Sequence, residues 1–205
     1  MRAEKTDTNI RQEQIAAAAL KLIASGGMKE LSVAGIARHV GVVPSAIYRH
    51  YKNKAAVVDA VLDLIQDKLI GNVGAVEEQT QDPIERLYKL LMRHIKLICE
   101  SQGIPRIVFS EDVYSGHIAR KQRIYEIISG YLKRIEDIVL QGQKSGAIRT
   151  DADAKNIALV FFGLVQPSAI LWHMSDGSFD ITREARKNWA IFEKAIKRDS
   201  TKTDG

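Results

Sequence analysis

The stretch from Leu31 to Lys54 constrains the fold more than any other part of the chain. Ser32 can cap a short helix over residues 33–39, because its hydroxyl oxygen can accept from a backbone N–H that has no intrahelical partner. Gly41 follows this helix, and a residue that takes positive φ without strain suits a tight turn. Pro44 then fits the first turn of a second helix, where its missing N–H costs nothing. The pattern predicts a helix-turn-helix.

The second of these helices carries side chains that can meet DNA. Ile47 is predicted to point inward, and the neighbouring hydroxyl, guanidinium, imidazole and ammonium groups are of the kinds that bind base edges and phosphates. The candidate DNA-contacting residues are Ser32, Pro44, Ser45, Ala46, Tyr48, Arg49, His50, Lys52 and Lys54. The alternative is that Tyr48 is a packing residue and that the lysines are an ordinary solvated helix start.

The distribution of charge favours the DNA-binding interpretation. The chain has a formal net charge of +5, and residues 1–54 hold nine Lys or Arg against four Asp or Glu, so the rest of the chain is balanced. Charge concentrated at one end favours a polyanionic partner for that end and a neutral body behind it.

The run from Ala46 to Lys54, AIYRHYKNK, resembles the end of the DNA-binding motif of the TetR family. The match covers about the first quarter of the chain, and the turn glycine, the aromatic pair and the lysine fall at the family's spacings. The resemblance implies that Tyr48 and His50 contact DNA and that Lys54 touches phosphate. It also implies a ligand-responsive repressor that binds a palindromic operator as a homodimer.

Two further positions bear on this resemblance. Tyr51 stands where the family has an aromatic residue that packs inside the domain, so it is expected in the core. Val43 stands where the recognition helix is usually capped by Ser or Thr, so the start of this helix is less well fixed than in most relatives.

The remaining periodicity predicts an all-α fold of about nine helices, with a three-helix DNA-binding head in residues 1–54 and an effector-binding and dimerisation body in residues 55–200. Residues 1–8 are expected to be irregular, and the long helix that starts at Lys54 is expected to fray or bend at Gly71 and Gly74. The other expected helices are residues 9–25, one from Pro83 to near Ser101, 106–112, one from Ile124 to residues 142–146, 153–175 and 182–197. Tyr114 to Gly116 is expected to be a loop.

Two body segments indicate a second copy of the chain. Residues 153–175 are apolar on nearly every face, which predicts a helix buried all round and bent at Pro167. The last helix has an aromatic seam that also needs a partner. The candidate interface residues are Phe161, Leu164, Trp189, Phe192 and Ile196, and the alternative is that both helices close a monomeric core.

The resemblance further implies a small-molecule pocket within the body. The candidate effector-binding residues are His94, Tyr125, Phe162, Gln166 and Trp172, an aromatic set with a few polar groups that suits an apolar, lipid-like effector. His94 on an apolar helix face has a competing interpretation as a hydrogen-bonded core histidine.

Other functions have little support in the residues. Cys99 is the single cysteine, the histidines form no metal-ligand pair and no glycine-rich phosphate loop occurs, so we expect no metal, no cofactor and no catalytic residues. No apolar run is judged long enough to span a membrane, and a cytoplasmic location follows. The alternatives are an all-helical enzyme or ligand carrier that does not regulate genes, or an activator with the same fold.

Overall fold

The computed structural model describes residues 2–108, 110–111 and 118–198, and within these ranges it contains ten α-helices and no strand. The helices are α1 (Arg2–Gly26), α2 (Val33–Val40), α3 (Pro44–Tyr48), α4 (Lys54–Gln79), α5 (Pro83–Glu100), α6 (Gly103–Val108), α7 (Ile118–Lys144), α8 (Ala154–Gly163), α9 (Gln166–Met174) and α10 (Ile181–Ile196). The predicted all-α fold class is confirmed. The predicted loop at Tyr114 to Gly116 lies outside the described residues.

The helices form two compact units. The first consists of Met1–Lys68 with Glu100–Ile127, and the second of Leu69–Cys99 with Ile128–Gly205. The long helices α4 and α7 therefore contribute residues to both units, and the compact units do not divide at residue 54.

The first unit combines α1 to α3 and the start of α4 with α6 and the start of α7. Its core holds Ile15, Ile23 and Ile36, all of which are buried. Helix α1 begins at Arg2 rather than near Asn9, since no proline or glycine interrupts the polar start, and the expectation of irregular residues there is wrong.

Ion pairs join α7 to α4 within this first unit. The Arg123 Nη2 donates to Asp63 Oδ1 at 2.7 Å, and the Arg120 Nε lies 3.6 Å from Asp59 Oδ1. Arg120 is a buried guanidinium, and its Nε makes no hydrogen bond in the described part of the chain.

Helix α4 continues without a break through Gly71 and Gly74, so the predicted fraying is wrong. A glycine inside a helix costs about 1 kcal/mol relative to alanine. Val73 and Val76 are completely buried beside them, and burial of a valine side chain stabilises by about 1.5–3 kcal/mol, which exceeds that cost.

The second unit is tied together at the turn between α4 and α5. The Asp82 Oδ1 accepts from the backbone N–H of Ile84 at 2.8 Å, which caps α5. The buried Arg86 donates to the Thr80 carbonyl at 2.7 Å and to the Gln141 Oε1 at 2.6 Å. Its guanidinium is therefore held by neutral acceptors on two sides, including a carbonyl that follows the end of α4.

The apolar segment from residue 153 to 175 forms two helices instead of one. Helix α8 ends at Gly163, and Pro167 lies in the first turn of α9, where its missing N–H is tolerated. Within the single chain this segment is not buried all round, because Leu159, Val160 and Leu171 are exposed. Burial on every side therefore stays a prediction that requires the expected second copy.

By length and composition alone, residues 154–174 could cross a membrane, so the prediction that no apolar run reaches spanning length is also wrong. The stretch carries one charged residue, Lys155. Only 28% of the tested window is buried. Core helices and interface helices of proteins share this composition. Because many of the apolar side chains here are exposed, the segment is more like an interface helix than a core helix.

Candidate DNA-binding surface and body interior

Local signals build the helix-turn-helix as predicted. The Ser32 Oγ accepts from the backbone N–H of Gly35 at 3.1 Å and caps α2. Gly41 adopts a φ of 75°, and Pro44 opens α3, while Val43 makes no side-chain capping bond. The start of α3 is therefore set by the proline and the glycine turn rather than by a hydroxyl cap.

Helix α3 turns one face inward and presents the other to solvent. Ile47 is 1% exposed and Tyr48 is 56% exposed. Pro44, Ser45 and Arg49 are exposed as well, and His50 is half-buried. The prediction that Ile47 points inward is confirmed, and four of the proposed DNA-contacting residues present their side chains on the opposite surface.

Ala46 does not belong to this outer surface. Its side chain is only 8% exposed, and like that of Ile47 it lies on the buried side of α3. The structure therefore corrects its place among the candidates, and the methyl group is a packing group of the head.

The segment after α3 holds the lysines. Lys52 and Lys54 are exposed, and the Lys54 Nζ donates to the Met28 carbonyl at 3.1 Å. Since an ammonium group has three donors, two remain for other acceptors. The Asn53 Oδ1 accepts from the backbone N–H of Ala56 at 2.9 Å and fixes the start of α4.

Tyr51 packs against α1, in agreement with its expected place inside the domain. It is half-buried, and its hydroxyl donates to the Gln12 carbonyl at 3.3 Å. Burial, with a smaller effect of the Asp63 carboxylate, raises the pKa of the Tyr51 hydroxyl above its ordinary value, so the group stays a neutral donor.

Sequence reasoning overlooked two residues of α2. A Cβ at Gly35 would lie 3.1 Å from Leu22 Cδ1, so this glycine allows α2 to approach α1 closely. Arg38 is an exposed cation in the last turn of α2. Its only sequence signal was its contribution to the positive charge of residues 1–54, which does not single out one residue.

In the body, His94 belongs to a buried aromatic cluster in the second unit. Its Nδ1 lies 3.2 Å from the Tyr131 hydroxyl, and the two rings meet edge to face at 5.3 Å. Phe162 lies against both, with ring centroids at 6.1 and 6.3 Å. Burial lowers the pKa of His94 to about 4, so the imidazole is neutral at physiological pH. The interpretation of His94 as a hydrogen-bonded core histidine is confirmed.

The other effector candidates occupy different environments. Phe162, Gln166 and Trp172 are half-buried residues of the second unit. Tyr125 belongs to the first unit and is 66% exposed, because it lies on the outer side of α7 beside Glu126. Its predicted place in a pocket lining is therefore corrected.

Four of the predicted interface residues are interior residues of one chain. Phe161, Trp189, Phe192 and Ile196 are buried, and Leu164 is half-buried. The Phe192 ring lies 5.9 Å from Phe161 and 5.7 Å from Trp189. The aromatic seam of α10 packs inside its own chain, so these four residues are not available as an interface.

Other large apolar side chains of α8, α9 and α10 are open to solvent. We use the name α8–α10 face for this set, which consists of Leu159, Val160, Ile170, Leu171, Met174 and Ile191. On α9 the Met174 side chain follows Ile170 and Leu171 at four- and three-residue spacings, which place the three on one side of the helix. Large exposed apolar surfaces mark interaction sites.

The described ranges contain no group of three or more His, Cys, Asp or Glu side chains that could hold a metal ion.

Comparison with known proteins matches both parts of the chain to one family. The family model described as bacterial regulatory proteins, tetR family, matches residues 15–61, and the model described as YsiA-like protein, C-terminal region, matches residues 65–195. The chain is 28% identical over 171 residues to the fatty acid metabolism regulator protein of Bacillus subtilis (strain 168), covering 82% of this chain and 86% of that protein. It is 25% identical over 196 residues to the nucleoid occlusion factor SlmA of Vibrio vulnificus (strain YJ016), covering 93% and 97% of the two chains.

A solved structure agrees with these matches. The transcriptional regulator FadR from Bacillus subtilis, solved in complex with stearoyl-CoA, superposes with a TM-score of 0.74 at 25% identity, covering 89% of this chain and 98% of that one. The structure thus has the fold of a regulator that carries a DNA-binding head and a helical ligand-binding body. The chain belongs to the TetR family of ligand-responsive, DNA-binding transcriptional repressors.

Proposed function

We propose that α3 enters the major groove of an operator and that Tyr48, Arg49 and His50 read it. Tyrosine hydroxyl, guanidinium and imidazole groups can all bond to base edges or to phosphates. Lys52 and Lys54 supply ammonium groups to the backbone. The Ser32 hydroxyl uses one lone pair to cap α2, so its O–H remains free to donate to phosphate.

The contrast between Ile47 and Tyr48 carries this proposal. Adjacent residues of one short helix are 1% and 56% exposed. The Tyr48 ring is mostly in water, so it contributes little to the packing of its own chain and is available to a partner. It also lies in the part of the sequence that holds the excess positive charge, which favours a polyanion as that partner.

The test is fluorescence anisotropy with a labelled DNA fragment from the promoter beside the protein's own gene. Tyr48→Ala should weaken binding by at least tenfold, while Tyr125→Ala, which removes another exposed tyrosine from α7, should leave it unchanged. Lys54→Ala should reduce the slope of log affinity against log salt by about 1, as loss of one phosphate contact predicts. Unchanged binding by Tyr48→Ala would refute the assignment.

We propose that two chains pair through the α8–α10 face. Family members bind DNA as dimers, and a two-fold axis would place two copies of α3 in successive major grooves, about 34–36 Å apart. Pairing would cover the exposed apolar side chains of α8 and α9, and it would match a palindromic operator.

Light scattering measures this pairing directly. Leu171→Glu places a charge on the face, and it should convert the dimer to single chains and abolish operator binding. Leu140→Glu is the matched control, because Leu140 is an exposed leucine of α7 outside the face. If Leu171→Glu remained dimeric, another surface would form the interface.

We propose that the effector is a long-chain acyl-coenzyme A thioester. Two observations support this class: the relative that regulates fatty acid metabolism, and the related FadR structure with stearoyl-CoA. In this chain an acyl tail would lie against Phe162, Gln166 and Trp172, whose half-buried side chains provide apolar surface with one amide. The buried His94 and Tyr131 rings would support Phe162 from behind.

Release of the labelled operator is the readout for the effector. Stearoyl-CoA should release it, whereas free coenzyme A and free stearate, its two halves, should act weakly. Phe162→Ala should raise the concentration needed, and Phe179→Ala, which removes another half-buried phenylalanine, should not. Failure of every acyl-CoA chain length to release DNA would eliminate this class of effector.

We further propose that residues 1–54 form the DNA-reading part and residues 55–200 the effector-binding and pairing part, with no catalytic role for either. Binding of chromosomal DNA would place the protein in the cytoplasm, at the nucleoid. Its relatives are transcriptional regulators and DNA-binding factors, which supports that location.

A further inference from the structure

A cleft of about 760 Å³ lies within the second unit, away from the residues assigned above to the effector. Its walls are the start of α5, the loop after α7 and the last turns of α10. Ile84, Tyr88, Ala147 and Trp189 supply its apolar lining, and the Tyr88 and Trp189 rings pack at 5.5 Å. The volume falls in the range of small-molecule sites.

The carboxylates that line this cleft are already engaged. Asp82 caps α5 through the backbone N–H of Ile84. Glu85 accepts from the Thr80 hydroxyl and pairs with Lys89 at 3.0 Å, and these bonds hold the pKa of Glu85 below its ordinary value.

The third carboxylate, Glu193, pairs with the Lys197 Nζ at 2.7 Å. This pair also occupies the one lysine of the cleft. Lys197 and Glu193 therefore cancel each other as a ligand-binding charge.

Two arginines of the lining remain uncommitted. Among the residues that the structure describes, the Arg186 and Arg198 side chains make no hydrogen bond and no ion pair. Arg186 lies in α10, which continues for ten more residues to Ile196. This part of the helix is about 15 Å long and separates the backbone of Arg186 from that of Arg198. The unmatched charge is thus positive, and it is divided between the two ends of the cleft.

The wall that carries Arg198 is fixed in position. The backbone N–H of Arg149 donates to the Ile196 carbonyl at 2.9 Å, and the Arg149 Nη1 donates to the Ala195 carbonyl at 3.2 Å. These bonds tie the end of α10 to the segment that follows α7, so the cleft is largely formed before a ligand arrives.

We propose that this cleft binds a linear molecule with an apolar middle and an anionic group at each end, of the long-chain dicarboxylate class. Each anionic group meets one guanidinium, which matches a carboxylate in shape and charge. The apolar middle lies along Tyr88 and Ile84. The neighbouring carboxylates are already bonded to other groups of the chain, so an apolar ligand would leave none of them without a partner. The site is separate from the proposed acyl-coenzyme A site and does not depend on it.

Isothermal titration of the full-length protein with dodecanedioate tests this site. Dodecanedioate should bind about tenfold more tightly than dodecanoate, because the second carboxylate adds one charge-assisted contact. Octanedioate has four fewer methylene groups along the cleft, so it should bind less tightly than dodecanedioate. Raising the salt concentration should weaken the dianion more than the monoanion.

Variants assign the two ends. Arg186→Ala and Arg198→Ala should each weaken dodecanedioate binding about tenfold and remove its advantage over dodecanoate. Arg183→Ala and Lys194→Ala, which remove exposed α10 cations outside the lining, are the matched controls and should bind normally. All four positions are exposed, and circular dichroism checks the fold of each variant.

The proposal is overturned by any of three results: equal affinity for dodecanedioate and dodecanoate, unchanged affinity in both cleft arginine variants, or no binding of dodecanedioate at millimolar concentration. Unchanged operator release by stearoyl-CoA in the Arg186 and Arg198 variants would leave the effector proposal intact, so the two hypotheses fail separately.

Discussion

Replacing Gly103 by alanine should force α6 away from α1. A Cβ at Gly103 would lie 2.4 Å from the Leu20 carbonyl oxygen, 2.8 Å from Leu20 Cδ1 and 3.2 Å from the backbone nitrogen of Ala24. The Leu20 side chain could rotate away, but the carbonyl belongs to the α1 backbone and cannot. Since Cβ contacts below 3.0 Å are essentially never seen, the two helices would have to separate by about 0.6 Å or more.

The expected cost follows from two opposing effects. Forcing a methyl group into a packed contact costs about 1–3 kcal/mol. Alanine in a helix gains about 0.5–1 kcal/mol over glycine. The net destabilisation should therefore be about 1–2 kcal/mol. Gly130→Ala in α7 is the matched control, because nothing lies within 4 Å of its Cβ position and only the gain applies.

Urea unfolding followed by circular dichroism at 222 nm, a wavelength that reports helix content, measures both variants. The free energies of unfolding of Gly103→Ala and Gly130→Ala should differ by the packing cost of about 1–3 kcal/mol, which corresponds to roughly 2–12 °C in Tm for a chain of this size. If Gly103→Ala were as stable as Gly130→Ala, the close contact between α6 and α1 would not exist in solution.

Three further substitutions test other parts of the fold by urea unfolding. Arg86→Leu should cost about 2–4 kcal/mol, because it leaves several partly buried acceptors, such as the Thr80 carbonyl and the Gln141 amide oxygen, without a donor. Arg86→Lys should not restore these bonds. Ser32→Ala should cost about 1 kcal/mol through loss of the α2 cap. Burial lowers the pKa of His94 in the folded chain to about 4, against an ordinary value of 6.5. As the pH falls from 6.5 to 4 the unfolded chain therefore binds a proton before the folded chain does, and the free energy of unfolding should fall by about 3 kcal/mol. His94→Gln should abolish that loss.

The helix-turn-helix could be predicted because its signals act over a few residues. A serine cap, a left-handed glycine and a helix-opening proline each fix a backbone conformation through local bonds or sterics. Ser32, Gly41 and Pro44 all perform the predicted roles. The inward direction of Ile47 follows from the same local register, whereas the burial of Ala46 depends on how α3 packs against the rest of the head.

Helix breakers in the body were less informative, because their effect depends on tertiary packing. Gly71 and Gly74 weaken α4 by about 1 kcal/mol each, yet the burial of Val73 and Val76 outweighs this cost and the helix continues. Pro167 has a stronger effect, since it removes a backbone donor and cannot be accommodated inside a straight helix. It therefore coincides with a real boundary, at the start of α9.

The interface residues show the limit of periodicity most clearly. A helical seam of apolar residues indicates that one side of a helix is covered, but it carries no information on which chain covers it. Trp189 and Leu171 both satisfy such a pattern, and they are 6% and 59% exposed. Trp189 is covered by Tyr88 and Phe192 of its own chain, so only the residues that remain exposed after folding are available to a partner. For the proposed pairing this leaves Leu171 and its neighbours on the α8–α10 face as the surface for a second copy, in place of the aromatic seam of α10.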